Sequence, residues 1–216
     1  MACHATRSLS INPAYAYLGH IATSSGPALG PSHRTLVILL GFLRRGRLER
    51  PAYLLYGAAV TAARAETFYA TLGVPDTLDG RFDLVSLHVY LVVRRLTACP
   101  PPGPDLAQKV FDAMFADMDV NLREMGVGDL GVGRRNRAMW EAFHGRSAAY
   151  ATALEAPDDA ALAEALRRNV WRGAEVPAED APLRLAAIVR TCVAALARQD
   201  IAALARGTVI FPEASA

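Results

Sequence analysis

Lysine is almost missing from this 216-residue chain: one of 23 basic residues, Lys109, against 41 alanines. That skew resembles GC-rich coding, so arginine in place of lysine carries no chemical message by itself. Cysteine is scarce as well. Cys3, Cys99 and Cys192 lie far apart, which excludes a disulfide framework and a cysteine-rich zinc site and favours a reducing compartment. No apolar run reaches the roughly 18 residues that cross a bilayer. Charge of one sign is absent too, with 23 basic against 21 acidic residues, so no global field points to nucleic acid or an acidic substrate. Valine and isoleucine never alternate with polar residues over several positions, so no strand ladder is predicted.

What is present is apolar and helical. Hydrophobic residues make up 52% and charged residues 20%, enough for one domain with a sizeable core. Pro51 suits a first helical position, with a helix from Ala52 to about Leu72 that stops at Gly73-Val74-Pro75. Asp79 is a plausible N-cap for a second helix, in which Phe82, Val85, Val89, Val92 and Leu96 line one face while Leu84, Leu87 and Leu91 line another. Apolar residues on two sides predict a central, buried helix. Pro104-Asp105 opens a third helix, Gly126 to Gly133 interrupts, and a fourth carries Met139, Phe143 and Tyr150. A fifth runs from about Asp158 to Trp171 and a sixth from about Pro182 towards Gly207. The fold class is all-α, a single compact bundle of about six helices with Gly/Pro-rich connectors.

Charge is uneven along the chain. Residues 1–48 carry five arginines and no acid, and residues 49–216 carry 18 basic and 21 acidic side chains. Residues 1–36 read as a disordered or artefactual extension, or as a transit peptide. Residues 37–50 form a short apolar and basic lead-in, residues 51–207 the helical domain, and residues 208–216 a tail. Within the lead-in, Leu39, Leu40 and Phe42 precede Arg44, Arg45 and Arg47. That pattern suits contact with an anionic membrane surface, or equally a segment packed on the domain.

The tempting constellations do not hold. Gly126-Val127-Gly128-Asp129-Leu130-Gly131 spells GxGxxG, but no strand precedes it, so it reads as a helix connector whose glycines tolerate positive φ, with Asp129 available to cap. Glu141 and His144 have the spacing of a di-iron ligand pair, without the second Glu-x-x-His that such sites require. Asp76, Asp79 and Asp83 cluster around Arg81 with no nucleophile or oxyanion donor set. Arg123, Glu124, Asp119 and Arg146 suit an ion-pair network at the loops. Cys99 has no base near it in sequence. Arg134, Arg135 and Arg137 lack interleaved aromatics, so they suit phosphates of lipid or ribosomal RNA better than a sequence-specific nucleic-acid surface. Two antiparallel helices separate Asp79-Gly80-Arg81 from Gly126-Val127-Gly128-Asp129, which places both motifs at one end of the bundle.

A family resemblance runs through the same residues. Tyr56-Gly57, Ala62-Ala63-Arg64 and Phe68-Tyr69 lead to Gly73-Val74-Pro75-Asp76-Thr77 and Asp79-Gly80-Arg81-Phe82-Asp83, then Leu87-His88 and Arg95-Leu96. Phe115-Ala116-Asp117-Met118-Asp119, Leu122-Arg123-Glu124-Met125-Gly126-Val127-Gly128-Asp129, Phe143-His144-Gly145-Arg146, Tyr150 and Arg168-Asn169-Val170 complete the series. Over about residues 52–172 the chain resembles the ubiquinol–cytochrome c chaperone family, assembly factors of the cytochrome bc1 complex.

The resemblance implies a non-enzymatic, all-α chaperone without cofactor or metal, with newly made cytochrome b as client. It also implies a small partner subunit, ribosome proximity and peripheral membrane contact. Lysine scarcity and the lack of a convincing presequence suggest a bacterial member, cytoplasmic and peripheral to the inner membrane (mitochondrial if eukaryotic). Asp76, Asp79, Gly80, Arg81, Asp83, His88, Arg123, Glu124, Gly126, Gly128, Asp129, Gly145, Arg146, Tyr150 and Asn169 are the resulting candidates for client or partner binding or for shaping loops. A helical quinone- or lipid-related enzyme and a structural respiratory subunit are the competing expectations.

Overall fold

The computed structural model of the protein describes residues 31–176 and 178–214, with side chains from residue 46 onward. Regular structure among the described residues is helical throughout: α1 (Pro31–Ala63), α2 (Leu78–Thr97), α3 (Gly103–Glu124), α4 (Asp129–Glu155), α5 (Ala160–Leu166), α6 (Ala181–Ala197) and α7 (Ile201–Ala205). Single π-helical turns lie at Thr67–Thr71 and Arg167–Trp171. The chain divides into two units, Met1–Gly46 and Arg47–Ala216. The all-α expectation holds.

The second unit is organised around α2. Ten consecutive residues, Asp83 to Val92, are buried, so this helix is enclosed on every side, as its two apolar faces predict. It packs against α3, α4, α6 and the π-helical turn Arg167–Trp171, while α5 bridges α4 and α6. Aromatic side chains fill the crossings: Tyr90 meets Tyr150 with ring centroids 5.8 Å apart, and Phe111 meets Phe143 at 5.2 Å. The arginines also brace helix ends, where carbonyls lack intrahelical donors. Arg95 donates to Leu196 O at 2.9 Å in the last turn of α6 and to Gln199 O at 2.8 Å just beyond it. Arg190 donates to Ala156 O at 3.0 Å and Asp158 O at 2.8 Å just past α4.

Four boundaries differ from the sequence reading. The first helix, expected to run to about Leu72, stops at Ala63, and a separate π-helical turn covers Thr67–Thr71. Pro51 lies inside α1 rather than at its start; its missing N–H removes one bond, yet Arg47, Leu48 and Arg50 are good helix formers and the helix continues. The glycine-rich interruption is shorter than 126–133: α4 already begins at Asp129, so Gly131 and Gly133 are helical. The last helix divides at Arg198–Asp200 into α6 and α7.

Candidate functional site

The first candidate motif forms the entrance to α2. Thr77 is extended and its Oγ1 accepts from Gly80 N at 3.2 Å, so Thr77 is the N-cap and Asp79, expected to cap, sits in the first turn instead. Gly80 is required by space: a Cβ there would lie 2.0 Å from the Pro75 carbonyl oxygen. Asp76 and Arg81 form a bidentate pair (Nε–Oδ1 2.6 Å, Nη2–Oδ2 3.1 Å) on the surface, where such a pair is strongly solvated.

One turn further, Asp83 turns inward. Its side chain is 0% exposed and its carboxylate lies 2.5 Å from Arg146 Nη1 on α4. Arg172, just past the π-helical turn Arg167–Trp171, approaches the same carboxylate with Nε at 2.5 Å and Nη2 at 2.7 Å, and reaches Asp79 through Nη1 at 3.2 Å. Two carboxylates thus face two guanidiniums, and the charges balance. Arg172 adopts the left-handed conformation (φ 48°), which a non-glycine side chain rarely takes, and the paired acids hold it there. The Arg146 guanidinium also lies 5.7 Å from the centroid of the Phe82 ring.

Burial pushes the Asp83 carboxyl up to about 6, against the lowering pull of Arg172 and Arg146. Burial likewise holds the Tyr150 phenol well above its ordinary range, so it stays a neutral hydroxyl beside the cluster. Both Asp83 oxygens are engaged by guanidiniums, which do not surrender protons near neutral pH. The centre therefore suits fixing three helical segments against one another rather than moving a proton. Sequence reasoning did not find Arg172; no local signal marks a residue whose partners lie 89 and 93 positions earlier.

The second motif lies elsewhere. Gly126 takes φ 80° and ends α3, with Val127 N bonding back to Leu122 O at 3.1 Å. Gly128 is the extended N-cap residue of α4 at φ −67°, so positive φ belongs to Gly126 and not to its neighbour. Arg123 pairs with Asp119 at 2.7 Å and with Asp129, making the expected loop network, whereas Arg146 belongs to the Asp83 centre and no ion pair involves Glu124 among the described residues. Asp129 and Arg146 are 17 residues apart on one helix, about 25 Å at 1.5 Å per residue. The Asp83 centre therefore meets α4 in its C-terminal half, away from the Gly126–Asp129 connector that opens the helix. The α3–α4 hairpin tip instead exposes apolar side chains that the sequence reading did not single out: Leu130 at 91%, Val120 at 52% and Met125 at 51%.

The remaining candidates are placed singly. His88 is buried, with Nδ1–H donating to Leu84 O at 2.8 Å. Asn169 folds back onto Ala165 O at 2.8 Å, and Gly145 is exposed on α4 with open space around it. Glu141 pairs with Arg137, and the His144 ring packs tilted against Trp140 with centroids 4.0 Å apart. Cys99 and Cys192 are buried. Arg47 is exposed; the side chains of Leu39, Leu40, Phe42, Arg44 and Arg45 lie outside the described residues, as do residues 1–30.

Fold and site together define an all-α protein whose motif charges neutralise one another around a buried carboxylate. Residues 70–211 match the ubiquinol–cytochrome C chaperone family, a stretch that contains the whole Asp83 centre, and the chain belongs to that family. It is similar to ubiquinol-cytochrome-c reductase complex assembly factor 1 of Xenopus laevis, 25% identical over 124 residues. That match takes in 57% of this chain and 62% of the Xenopus protein. A crystal structure of a Cbp3 homologue from Brucella abortus is 38% identical and superposes with a TM-score of 0.69, covering 82% of this chain and 97% of that one.

Proposed function

We propose that this protein is a non-enzymatic assembly chaperone of the cytochrome bc1 complex that binds newly made cytochrome b. Family membership over residues 70–211 is the observation that carries the reading. The geometry favours holding over chemistry: the charged motif residues around Asp83 are spent on one another inside the fold. Client or partner contact then falls to what the motifs leave exposed. Leu130, Met125 and Val120 are exposed near Glu124, Gly126, Gly128 and Asp129 in the sequence around the α3–α4 connector. Asp83, Arg146, Tyr150 and His88 act from within by fixing the helices that carry this tip.

In this reading the chaperone works at the inner membrane of a bacterium, with a small partner subunit and near the ribosome. Leu39, Leu40, Phe42, Arg44, Arg45 and Arg47 give peripheral attachment. No helix among the described residues is long and apolar enough to cross a membrane. Deleting the gene is expected to deplete assembled bc1 complex and cytochrome b, with loss of ubiquinol–cytochrome c reductase activity. Normal amounts of complex in the deletion strain would refute the proposal. Stoichiometric presence of the protein in purified mature complex would identify a structural subunit instead.

A further inference from the structure

A groove of about 740 Å³ lies beside α1, α2 and α6; its lining is largely apolar, and one of its walls is the segment that follows α7. Ala58 and Ala62 of α1, Phe68, His88 of α2 and Ile188 and Cys192 of α6 form its floor and sides. After α7, Gly207 (φ 88°) turns the chain, and residues 208–214 continue without regular structure along the groove. No backbone–backbone hydrogen bond joins residues 209–214 to the rest of the described residues.

Two features hold this segment. The Gln199 side-chain amide donates to Ile210 O at 2.6 Å and accepts from Ile210 N at 2.9 Å. It therefore satisfies both backbone groups of one residue, as a neighbouring strand would, and reads no side chain in doing so. Arg95 braces the clamp by donating to Gln199 O at 2.8 Å. One residue on, the half-buried Phe211 ring sits 5.4 Å from the His88 ring, which sits 5.4 Å from Phe68. Ile210 itself is 68% exposed. A backbone clamp followed by an aromatic anchor is the recognition pattern of an extended peptide.

We propose that this groove is an acceptor site for an extended peptide segment carrying an aromatic side chain, and that residues 208–214, which form one of its walls, act as a displaceable internal ligand. Recognition through backbone groups and one ring accepts many sequences. The tether through Gly207 gives the tail a high effective concentration, so an outside peptide enters only where it binds better or where the tail is weakened. The inference concerns a ligand class and does not depend on which complex the protein serves.

The test uses the full-length chain and a fluorescent peptide with the sequence of residues 207–216. Phe211→Ala in the protein weakens the internal ligand, so the variant is expected to bind the peptide at least tenfold more tightly than the unaltered chain. Adding Gln199→Ala should abolish that gain, and a peptide lacking its own phenylalanine should bind neither protein. Hydrogen exchange on the unaltered chain supplies a readout without mutation: saturating peptide should speed exchange at the Ile210 amide while amides of α2 stay protected. Equal peptide binding by both proteins together with unchanged Ile210 exchange would overturn the proposal. So would binding that survives Gln199→Ala. Self-association of the chain that the peptide neither inhibits nor accompanies by binding would assign the groove to a second copy and overturn it as well.

Discussion

Asp83 and Arg146, 63 positions apart in the chain, meet at 2.5 Å with the carboxylate fully enclosed and the guanidinium 11% exposed. One contact thereby locks the first turns of α2 to the C-terminal half of α4, and Arg172 adds the π-helical turn Arg167–Trp171 to the same point. A buried pair of this kind gains little net energy when formed, because both ions lose water, but removing one partner strands the other.

Arg146→Met, which leaves the enclosed Asp83 carboxylate without this partner, is therefore expected to destabilise the fold by about 3–5 kcal/mol. Arg81→Ala, which breaks only the solvated pair with Asp76, should leave the urea midpoint unchanged within experimental scatter. Equal losses for Arg146→Met and Arg81→Ala would contradict the burial argument.

Two motif glycines should respond in opposite directions. Gly80→Ala puts a methyl against the Pro75 carbonyl, and overpacking of this kind costs about 1–3 kcal/mol. Gly145→Ala meets no atom within 4 Å inside a helix and should stabilise by about 0.5–1 kcal/mol. If Gly145→Ala is more stable but loses bc1 assembly in cells, Gly145 is a contact position rather than a structural one.

The acid response separates two buried groups of opposite sign. His88 is held neutral by burial, its pKa down at about 4, whereas the unfolded chain takes up that proton near 6.5. Stability from His88 is complete above pH 6.5 and is lost as pH falls towards 4, by about 2 kcal/mol at pH 5. Asp83, raised to about 6, binds a proton in the folded state that the unfolded chain has already released. Its contribution grows as pH falls through 6, by about 1 kcal/mol at pH 5. Between pH 7 and 5, His88→Phe should gain about 2 kcal/mol relative to the unaltered protein in urea melts. A difference that stays constant with pH would show that His88 does not titrate as its burial requires.

Leu130 should matter in cells and not in the test tube. At 91% exposure, Leu130→Ser removes almost no buried surface, so the melting midpoint should move by less than about 2 °C. The same variant is expected to lower recovery of newly made cytochrome b in pull-downs. Full recovery with Leu130→Ser would place the client contact elsewhere.

The central helix α2 was legible because its evidence is local: Phe82, Val85, Val89, Val92 and Leu96 repeat at the helical period, and periodicity needs only neighbours three or four residues away. The connector at Gly126 was legible for the same reason, since a left-handed turn after a helix asks for glycine at one position. Local signals mislead where two residue types can satisfy one role. Asp79 and Thr77 both cap helices well, and only the backbone geometry selected Thr77. Pairing across the fold left no trace in the sequence. Nothing near Asp83 indicates that its partners stand 63 and 89 positions later, because their meeting depends on the angles at which α2 and α4 cross and on the left-handed turn at Arg172. The sequence by itself determined the helices and the all-α class through short-range periodicity and capping. Which charges became a buried centre, and which apolar residues were left facing water at the α3–α4 tip, was decided by packing between segments distant in the chain.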